Sequence, residues 1–304
     1  MNAQRSKGIG GIGMDVYGDI RKGEKGAWVS IAAYLVLSSL KLAAGWLFHS
    51  EALTADGFNN VTDIVASVAV LIGLRISRRP PDANHPYGHL RAETIAALIA
   101  SFIMATVGLQ VGQAAIINLW RGQFEAPDLN AGWIALAAAA AMLAVYGYNV
   151  RLARRIRSQA LMAAAKDNRS DAFVSIGAAV GIFGAALGVV WLDAVAAIVV
   201  AVLIVKTAWE IFWSATHDLT DGFDVNQLRT LRGVVERTEG VRGIKDIRAR
   251  IHGSTVLVDV IVTVDPTLSV VDGHRISDTV EQRLRRKNGV VNVHVHIEPY
   301  GNAE

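Results

Sequence analysis

The chain has 304 residues, of which 52% are hydrophobic, and its formal net charge is +3. Its mean hydropathy of +0.34 is high for a soluble domain of this length, whose surface needs more charge. The absence of cysteine excludes disulfides and thiolate metal ligands. The basic residues lie in short segments between apolar runs, a placement that orients membrane helices and argues against nucleic-acid binding.

The distribution of apolar residues predicts a membrane domain followed by a water-exposed domain. Residues 1–24 are polar and rich in glycine, and they lack the apolar core of a signal peptide, so we expect a flexible cytoplasmic tail. Residues 25–214 contain the apolar runs, and residues 215–304 concentrate the charge. We therefore expect a transmembrane domain and then a cytoplasmic domain.

Six stretches are long enough to cross a membrane. A bilayer core of about 30 Å requires roughly 20 mostly apolar helical residues. The second and fifth stretches carry carboxylates and amides among their apolar residues. The six predicted helices are Trp28–Phe48, Ala52–Ile76, Thr94–Leu119, Ala131–Val150, Leu161–Leu187 and Ala194–Trp213.

The loops between these helices predict their orientation. Arginines concentrate after the second and fourth helices, whereas the links on the other side are short and poor in basic residues. Because cytoplasmic loops carry the excess of Lys and Arg, both termini are expected in the cytoplasm, and the membrane is expected to be the cell inner (plasma) membrane. The arginines are Arg75, Arg78, Arg79 and Arg91 after the second helix, and Arg151, Arg154, Arg155 and Arg157 after the fourth.

The C-terminal residues predict a small α/β domain. Helical spacing of apolar residues alternates with strand-like alternation, and the order α-β-β-α-β is typical of an open-faced sandwich of ferredoxin type. The predicted elements are Gln227–Glu239, Val241–Arg250, Thr255–Val264, Val271–Arg286 and Val290–Ile297.

Two pairs of oxygen-bearing side chains lie within the predicted membrane helices. Asn59 and Asp63 are four residues apart on the second helix, as are Asp167 and Asp171 on the fifth, so each pair shares a helix face. A carboxylate in hydrocarbon costs at least ~2.5–3.5 kcal/mol, and neighbouring carboxylates repel. A bound divalent cation would cancel both penalties. The four residues therefore predict a metal site.

The alternative is that these acids cap helices or pair with Lys166 or Arg169. Two matched pairs are harder to explain in that way than one isolated aspartate. Asp56 lies near the outer end of its helix, where solvation would explain it, and Asn60 points about 100° away from Asn59, so we interpret Asn60 as a helix-packing amide.

Three motifs resemble those of the cation diffusion facilitator family: ADGFNNVTD, NHPYGH followed by RAE, and DNRSD. The resemblance covers nearly the whole chain beyond the tail. It implies a homodimer, dimerised and regulated through residues 215–304, that exchanges a cytoplasmic divalent metal for protons by alternating access. It also implies a transport site at Asn59, Asp63, Asp167 and Asp171, and no enzymatic activity.

The ligand types favour manganese as the transported ion. Zinc-type members of the family place histidine in this site, because zinc favours imidazole nitrogen. One amide oxygen with three carboxylates is a hard, all-oxygen set that suits Mn²⁺ or Mg²⁺, and the combination is similar to that of the manganese-exporting branch. Zn²⁺, Fe²⁺ and Co²⁺ remain open as substrates, and no resident cofactor is expected.

A second metal site is predicted in the loop PPDANHPYGHLRAE, which contains Asp82, His85 and His89. Two histidines four residues apart with one nearby aspartate are a plausible ligand set, and the resemblance implies a site at matching positions. The alternative is a polar loop whose histidines bond the backbone or stack on Tyr87.

The resemblance implies two further features in the cytoplasmic part of the chain. One is a metal site between protomers, although Lys245 and Ile261 stand where zinc-type members have ligands, and the histidines could equally be partners within the fold. The other is an ion pair of Arg91 with Asp218 that ties helix to hinge. The candidate ligands are His252, Asp259, His274, His296 and Glu298.

Two other functions remain open on sequence grounds. A zinc or broad-range exporter would use the same scaffold and differ only in the ion. A membrane-bound metal sensor would bind metal in the cytoplasmic domain without transporting it. A metalloenzyme needs an open metal position beside a general base, and nothing else in the sequence resembles a substrate pocket.

Overall fold

The computed structural model describes residues 10–77, 79–122, 127–156, 159–253, 255–287 and 290–301. The described residues fall into two compact units. One comprises Met1–Val68 and Ala100–Trp209, and the other comprises Ala69–Ile99 and Glu210–Glu304. The division passes through three long helices, because one end of each belongs to the second unit.

Six long helices occupy the first two thirds of the described chain. All are between 27 and 38 residues long, enough to cross a bilayer core at 1.5 Å per residue. They are α1 (Gly10–Leu47), α2 (Glu51–Ser77), α3 (Ala92–Arg121), α4 (Leu129–Ile156), α5 (Gln159–Ala186) and α6 (Trp191–Leu219).

Helix α1 begins at Gly10, so residues 10–24 of the segment predicted as a flexible tail are helical. The glycines of this segment disfavour a helix, but the segment contains no proline. Extending a helix that already exists costs far less than starting one, so the apolar part of α1 can propagate backwards. Residues 1–9 lie outside the described residues.

Four of the described helices are both apolar enough and long enough to span a membrane. They are α1 from Trp28 onwards, the whole of α3 and α6, and nearly the whole of α4. Within the described residues, α2 and α5 are not among these four. Both carry carboxylates and amides among their apolar residues, such as Asp63 on α2 and Asp171 on α5.

Small residues make the contacts between the helices of the first unit. A Cβ placed on Gly45 of α1 would meet Thr54 of α2, and one placed on Gly181 of α5 would meet Ala196 of α6 at less than van der Waals separation. Most of the buried hydrophobic residues of these helices are alanines. Close approach through small residues is the usual packing mode of membrane helices.

All seven tryptophans of the chain are exposed, and five of them lie within two turns of a helix end. Trp46 ends α1 with 82% of its surface exposed, and Trp120 ends α3 with 89% exposed. Tryptophan favours the interface between lipid and water, so this placement is that of membrane helices. The others are Trp28, Trp133, Trp191, Trp209 and Trp213.

The second unit contains the predicted α-β-β-α-β order. Strands β1 and β2 are antiparallel, β3 is parallel to β2, and the sheet order is β1-β2-β3. The sheet is therefore small and mixed. The elements are α7 (Val225–Glu236), β1 (Gly243–His252), β2 (Thr255–Val264), α8 (Val270–Arg285) and β3 (Val290–Pro299).

Alternation along β2 explains why one face of this sheet is covered. Val258, Val260 and Val262 are buried against α7 and α8, while the residues between them point to the opposite face. Asp224 and Ser269 begin the two helices, each accepting a hydrogen bond from a backbone N–H of the first turn, as N-cap residues do. The face away from the helices carries the polar residues of β1 and β3.

Candidate metal centres

The structure brings two of the four predicted transport-site residues into contact. Asn59 of α2 and Asp171 of α5 are both buried, and the Asn59 Nδ2 donates a hydrogen bond of 3.2 Å to Asp171 Oδ1. The Tyr34 hydroxyl of α1 lies 2.7 Å from Asp171 Oδ2 and 3.0 Å from Asn168 Oδ1. Three helices thus converge on one carboxylate.

Asp63 lies one turn beyond Asn59 on α2, and its Oδ2 is enclosed without a hydrogen-bond partner among the described residues. An enclosed carboxylate oxygen lacking a donor is unfavourable. A cation or a proton would satisfy it. This orphaned oxygen is the observation that most directly points to an exchangeable positive charge in the bundle.

Asp167 is the predicted ligand that the structure leaves apart. Its side chain is exposed on α5, and within the described part of the chain the three aspartates do not form a cluster of ligand atoms all within 4.8 Å of one another. Asp167 and Asp171 are nevertheless one turn apart on the same helix.

Three residues that sequence reasoning did not single out belong to this region. Tyr34 and Asn168 contact Asp171 or each other as described above, and Lys41 of α1 lies fully buried 2.9 Å from Asp56 Oδ2. Asp56 is fully buried as well, so it is not solvated. A signal for Lys41 existed, because it is the one charged residue between Trp28 and Phe48, and charges within membrane helices are usually functional. Nothing in the sequence marks Tyr34.

The predicted loop residues do form a cluster. Asp82, His85 and His89 each offer a ligand atom, and these atoms all lie within 4.8 Å of one another. His85 Nδ1 is 3.1 Å from Asp82 Oδ1, and His89 Nε2 is 3.5 Å from Asp82 Oδ2. The backbone N–H of His85 donates to the carboxylate and lowers the pKa of Asp82, which keeps it charged and able to bind a cation. The two imidazole rings lie 4.3 Å apart.

The five residues predicted for a cytoplasmic-domain site do not come together in the described part of the second unit. His274 lies on α8, which packs on one face of the sheet, whereas Asp259 and His296 lie on the face away from the helices. One candidate carboxylate forms an ion pair with a lysine, because Lys245 Nζ is 2.8 Å from Glu298 Oε2. The five residues therefore do not form one site within a single protomer, and the site expected between protomers stays a prediction.

Ion pairs and burial account for the other members of this set. Arg250 faces Asp259 at 3.9 Å, and His274 lies 3.7 Å from Asp278 one turn along its helix. Partial burial and the nearby guanidinium groups of Arg91 and Arg250 lower the pKa of His252. The polar face of the sheet also includes His294, which lies beside Asp259 in the β2–β3 register.

The predicted partner of Arg91 is also wrong. Arg91 Nη2 lies 2.5 Å from Asp221 Oδ1, and Asp218 makes no such contact in the described residues. Asp218 is held within α6, which ends at Leu219. Asp221 lies in the following turn with a positive φ of 60°, a conformation that aspartate tolerates and that turns its carboxylate toward Arg91.

Comparison with known proteins places these centres in a family. The manganese efflux system protein MneS of Bacillus subtilis is 55% identical over 94% of this chain and 99% of its own length. MneP, a manganese efflux system protein of the same organism, is 32% identical over 91% of this chain and 96% of its own. A solved MamM CTD structure in a manganese form is 27% identical, covering 25% of this chain and 99% of that chain with a TM-score of 0.24.

Two family models together span almost all of the chain beyond its first residues. The model described as the cation efflux transmembrane domain matches residues 27–220, and the model of the cation efflux protein cytoplasmic domain matches residues 224–300. The first match alone covers well over half of the 304 residues. The chain therefore belongs to the cation efflux, or cation diffusion facilitator, family of transporters.

Proposed function

We propose that this protein exports Mn²⁺ from the cytoplasm in exchange for protons, by alternating access and as a homodimer. Six helices, α1–α6, cross the cell inner membrane with both termini in the cytoplasm, and residues 215–304 form a cytoplasmic regulatory and dimerisation domain of ferredoxin type. Two relatives named as manganese efflux proteins support the choice of ion. The cytoplasmic family model, which spans residues 224–300, supports the second domain.

The observation that carries the proposal is the enclosed group of Asn59, Asp63 and Asp171. Asn59 and Asp171 touch across the two helices, and the Asp63 Oδ2 beside them has no partner. In the proposed cycle the Asn59 amide turns its oxygen toward the ion, and Asp167 joins when α5 closes on α2. An oxygen-only set suits Mn²⁺ better than Zn²⁺.

Proton coupling follows from the same residues. Without metal, neighbouring carboxylates in a low-dielectric site share protons because like charges repel. An entering divalent ion displaces those protons, and returning protons displace the ion. The ion is the cargo of this exchange, so no resident cofactor takes part. We further propose that Asp82, His85 and His89 hold the ion transiently on the cytoplasmic side before transport.

The test is ion flux into proteoliposomes with an imposed proton gradient, comparing Mn²⁺ with Zn²⁺ in the wild type and in Asp63→Ala. We expect Mn²⁺ flux in the wild type and none above the protein-free background in the variant. Ser67→Ala, a milder change one turn further along α2, is the matched control and should keep its flux. Flux of Zn²⁺ alone would overturn the choice of ion, and tight metal binding without any flux would favour a sensor.

A further inference from the structure

A buried lysine of α1 contacts both helices that carry the proposed ligands. The side chain of Lys41 is fully buried, and its Nζ lies 2.9 Å from Asp56 Oδ2 on α2. The same ammonium donates to Asn60 Oδ1 of α2 at 2.7 Å and to Ser175 Oγ of α5 at 2.9 Å. An ammonium has three protons and no acceptor. The ammonium therefore contacts three oxygen atoms, which come from two different helices.

These partners adjoin the proposed transport site without belonging to it. Asp56 lies nearly one turn before Asn59, and Asn60 directly follows Asn59. On the other helix, Ser175 lies one turn beyond Asp171, and its hydroxyl donates to the Asp171 carbonyl oxygen at 3.1 Å. Lys41 thus links the backbone region of one proposed ligand to that of the other.

We propose that Lys41 is a positioning residue that sets the separation of α2 and α5 at the transport site and thereby its ion selectivity. This inference rests on the proposed function. The ammonium itself cannot bind a cation, so Lys41 acts only through the helices it joins. Affinity alone does not favour Mn²⁺ among divalent ions, and selection against more strongly bound ions depends on geometry. Such geometry persists only where supporting contacts fix the ligands.

Stability alone is a poor explanation of the Lys41–Asp56 pair. A buried ion pair is often no more stabilising than well-packed apolar residues of similar volume. Removing both charges together therefore tests whether Lys41 positions the two helices, with little loss of folding stability. Removing only Lys41 would leave the Asp56 carboxylate buried without its counter-ion. The effect of altered helix positions could then not be separated from the effect of lower stability.

The experiment measures apparent KM and maximal flux for Mn²⁺ and Zn²⁺ in proteoliposomes, for the wild type, Lys41→Met with Asp56→Leu, and Ser175→Ala. We expect the double variant to lose about tenfold in the preference for Mn²⁺ over Zn²⁺, as loss of one hydrogen bond to a charged group would give. Ser175→Ala removes the contact of Lys41 to α5, together with the Ser175 hydrogen bond to the Asp171 carbonyl, and should move the ratio in the same direction. Lys206→Met and Ser170→Ala change an exposed lysine of α6 and an exposed serine of α5 and should leave the ratio unchanged.

An unchanged KM ratio with an equal fall in maximal flux for both ions would show a merely structural role and overturn the inference. If the double variant does not fold, Ser175→Ala decides alone. Equilibrium dialysis of the detergent-solubilised proteins with Mn²⁺ and Zn²⁺ gives the same ratio without flux. Absence of flux in the wild type would therefore refute the proposed transport while the binding ratio still decides the role of Lys41.

Discussion

At the scale of single residues, the proposed transport site is a set of buried oxygens with too few hydrogen-bond donors. Asp171 receives hydrogen bonds from Tyr34 and Asn59, whereas Asp63 Oδ2 receives none within the described chain. The partly satisfied state of the site is what an exchangeable occupant requires. If every oxygen had a protein donor, an ion would have to break those bonds in order to enter.

Replacing Asp167 with histidine tests whether that residue joins the site during transport. We expect Asp167→His to raise Zn²⁺ flux relative to Mn²⁺ flux by roughly tenfold, because zinc favours imidazole nitrogen and manganese favours oxygen. The measurement is competitive uptake of the two ions into proteoliposomes. Lys166→His places the same group on the neighbouring exposed position as a control. An equal ratio in Asp167→His and wild type would remove Asp167 from the ligand set.

The ion pair of Arg91 with Asp221 is tested by exchanging the charges. Both groups are partly exposed, so the pair contributes only about 0–1 kcal/mol to stability, and its role is to hold the segment after α6 near the start of α3. We expect Arg91→Asp to reduce Mn²⁺ flux several-fold and Arg91→Asp with Asp221→Arg to restore most of it.

The control for that exchange is Arg91→Asp with Asp218→Arg, the partner that the resemblance implied. It should remain as impaired as the single variant. Recovery with Asp218→Arg and not with Asp221→Arg would contradict the pairing seen in the structure.

At the scale of helices and loops, close packing of α5 against α6 depends on Gly181. A Cβ at this position would lie 2.4 Å from the Ala196 side chain. We expect Gly181→Val to separate the two helices and lower the thermal unfolding midpoint of the detergent-solubilised protein. Gly177→Ala lies one turn away on the same helix, where a Cβ meets no atom within 4 Å, and should change little. Equal midpoints for both variants would argue against this packing.

If the loop cluster of Asp82, His85 and His89 captures the ion, its loss should reduce transport only at low Mn²⁺ concentration. Loss of both imidazoles in His85→Ala with His89→Ala removes two of three ligands, so capture from dilute Mn²⁺ weakens while the membrane site is untouched. We expect apparent KM for Mn²⁺ to rise about tenfold with maximal flux unchanged. Tyr87→Ala changes the exposed ring between them as a control. A fall in maximal flux at unchanged KM would exclude a capture role.

The elements that could be predicted are those whose signal is local. The apolar run of α3 and the alternation of β2 each predict their element within a few residues, and the four-residue spacing of Asn59 and Asp63 predicts a shared face. Contacts between distant helices carry no local signal. Tyr34 reaches Asp171 across 137 positions, and only the packing of α1 on α5 reveals it.

At the scale of the whole molecule, the two units contain different candidate sites. The first unit buries the proposed transport site and its Lys41 support among helices whose outer surfaces are apolar. The second unit carries the loop cluster and the polar face of the sheet. The sequence predicted a division into residues 25–214 and residues 215–304. It did not predict that one end of α2, of α3 and of α6 belongs to the second unit. The helical periodicity of the sequence continues unchanged through the point where a helix leaves one unit and enters the other.

The same limit explains why the candidate ligands of the cytoplasmic domain lie on different faces of its sheet. Strand alternation shows which residues of β3 share a face, but not which face α8 covers, so His274 could not be separated from His296 by pattern alone. The side of the sheet is decided by burial of Val258 and its neighbours against Leu231 and Leu284. That choice depends on the three-dimensional core.

The most direct test of the exchange mechanism is Mn²⁺ accumulation in everted membrane vesicles, with the proton gradient first present and then collapsed by a protonophore. We predict uphill accumulation while the interior is acidic, its loss within the time of gradient collapse, and neither in vesicles containing Asp171→Ala. Uphill accumulation that continues after the collapse, or that survives in Asp171→Ala, would contradict proton exchange at this site.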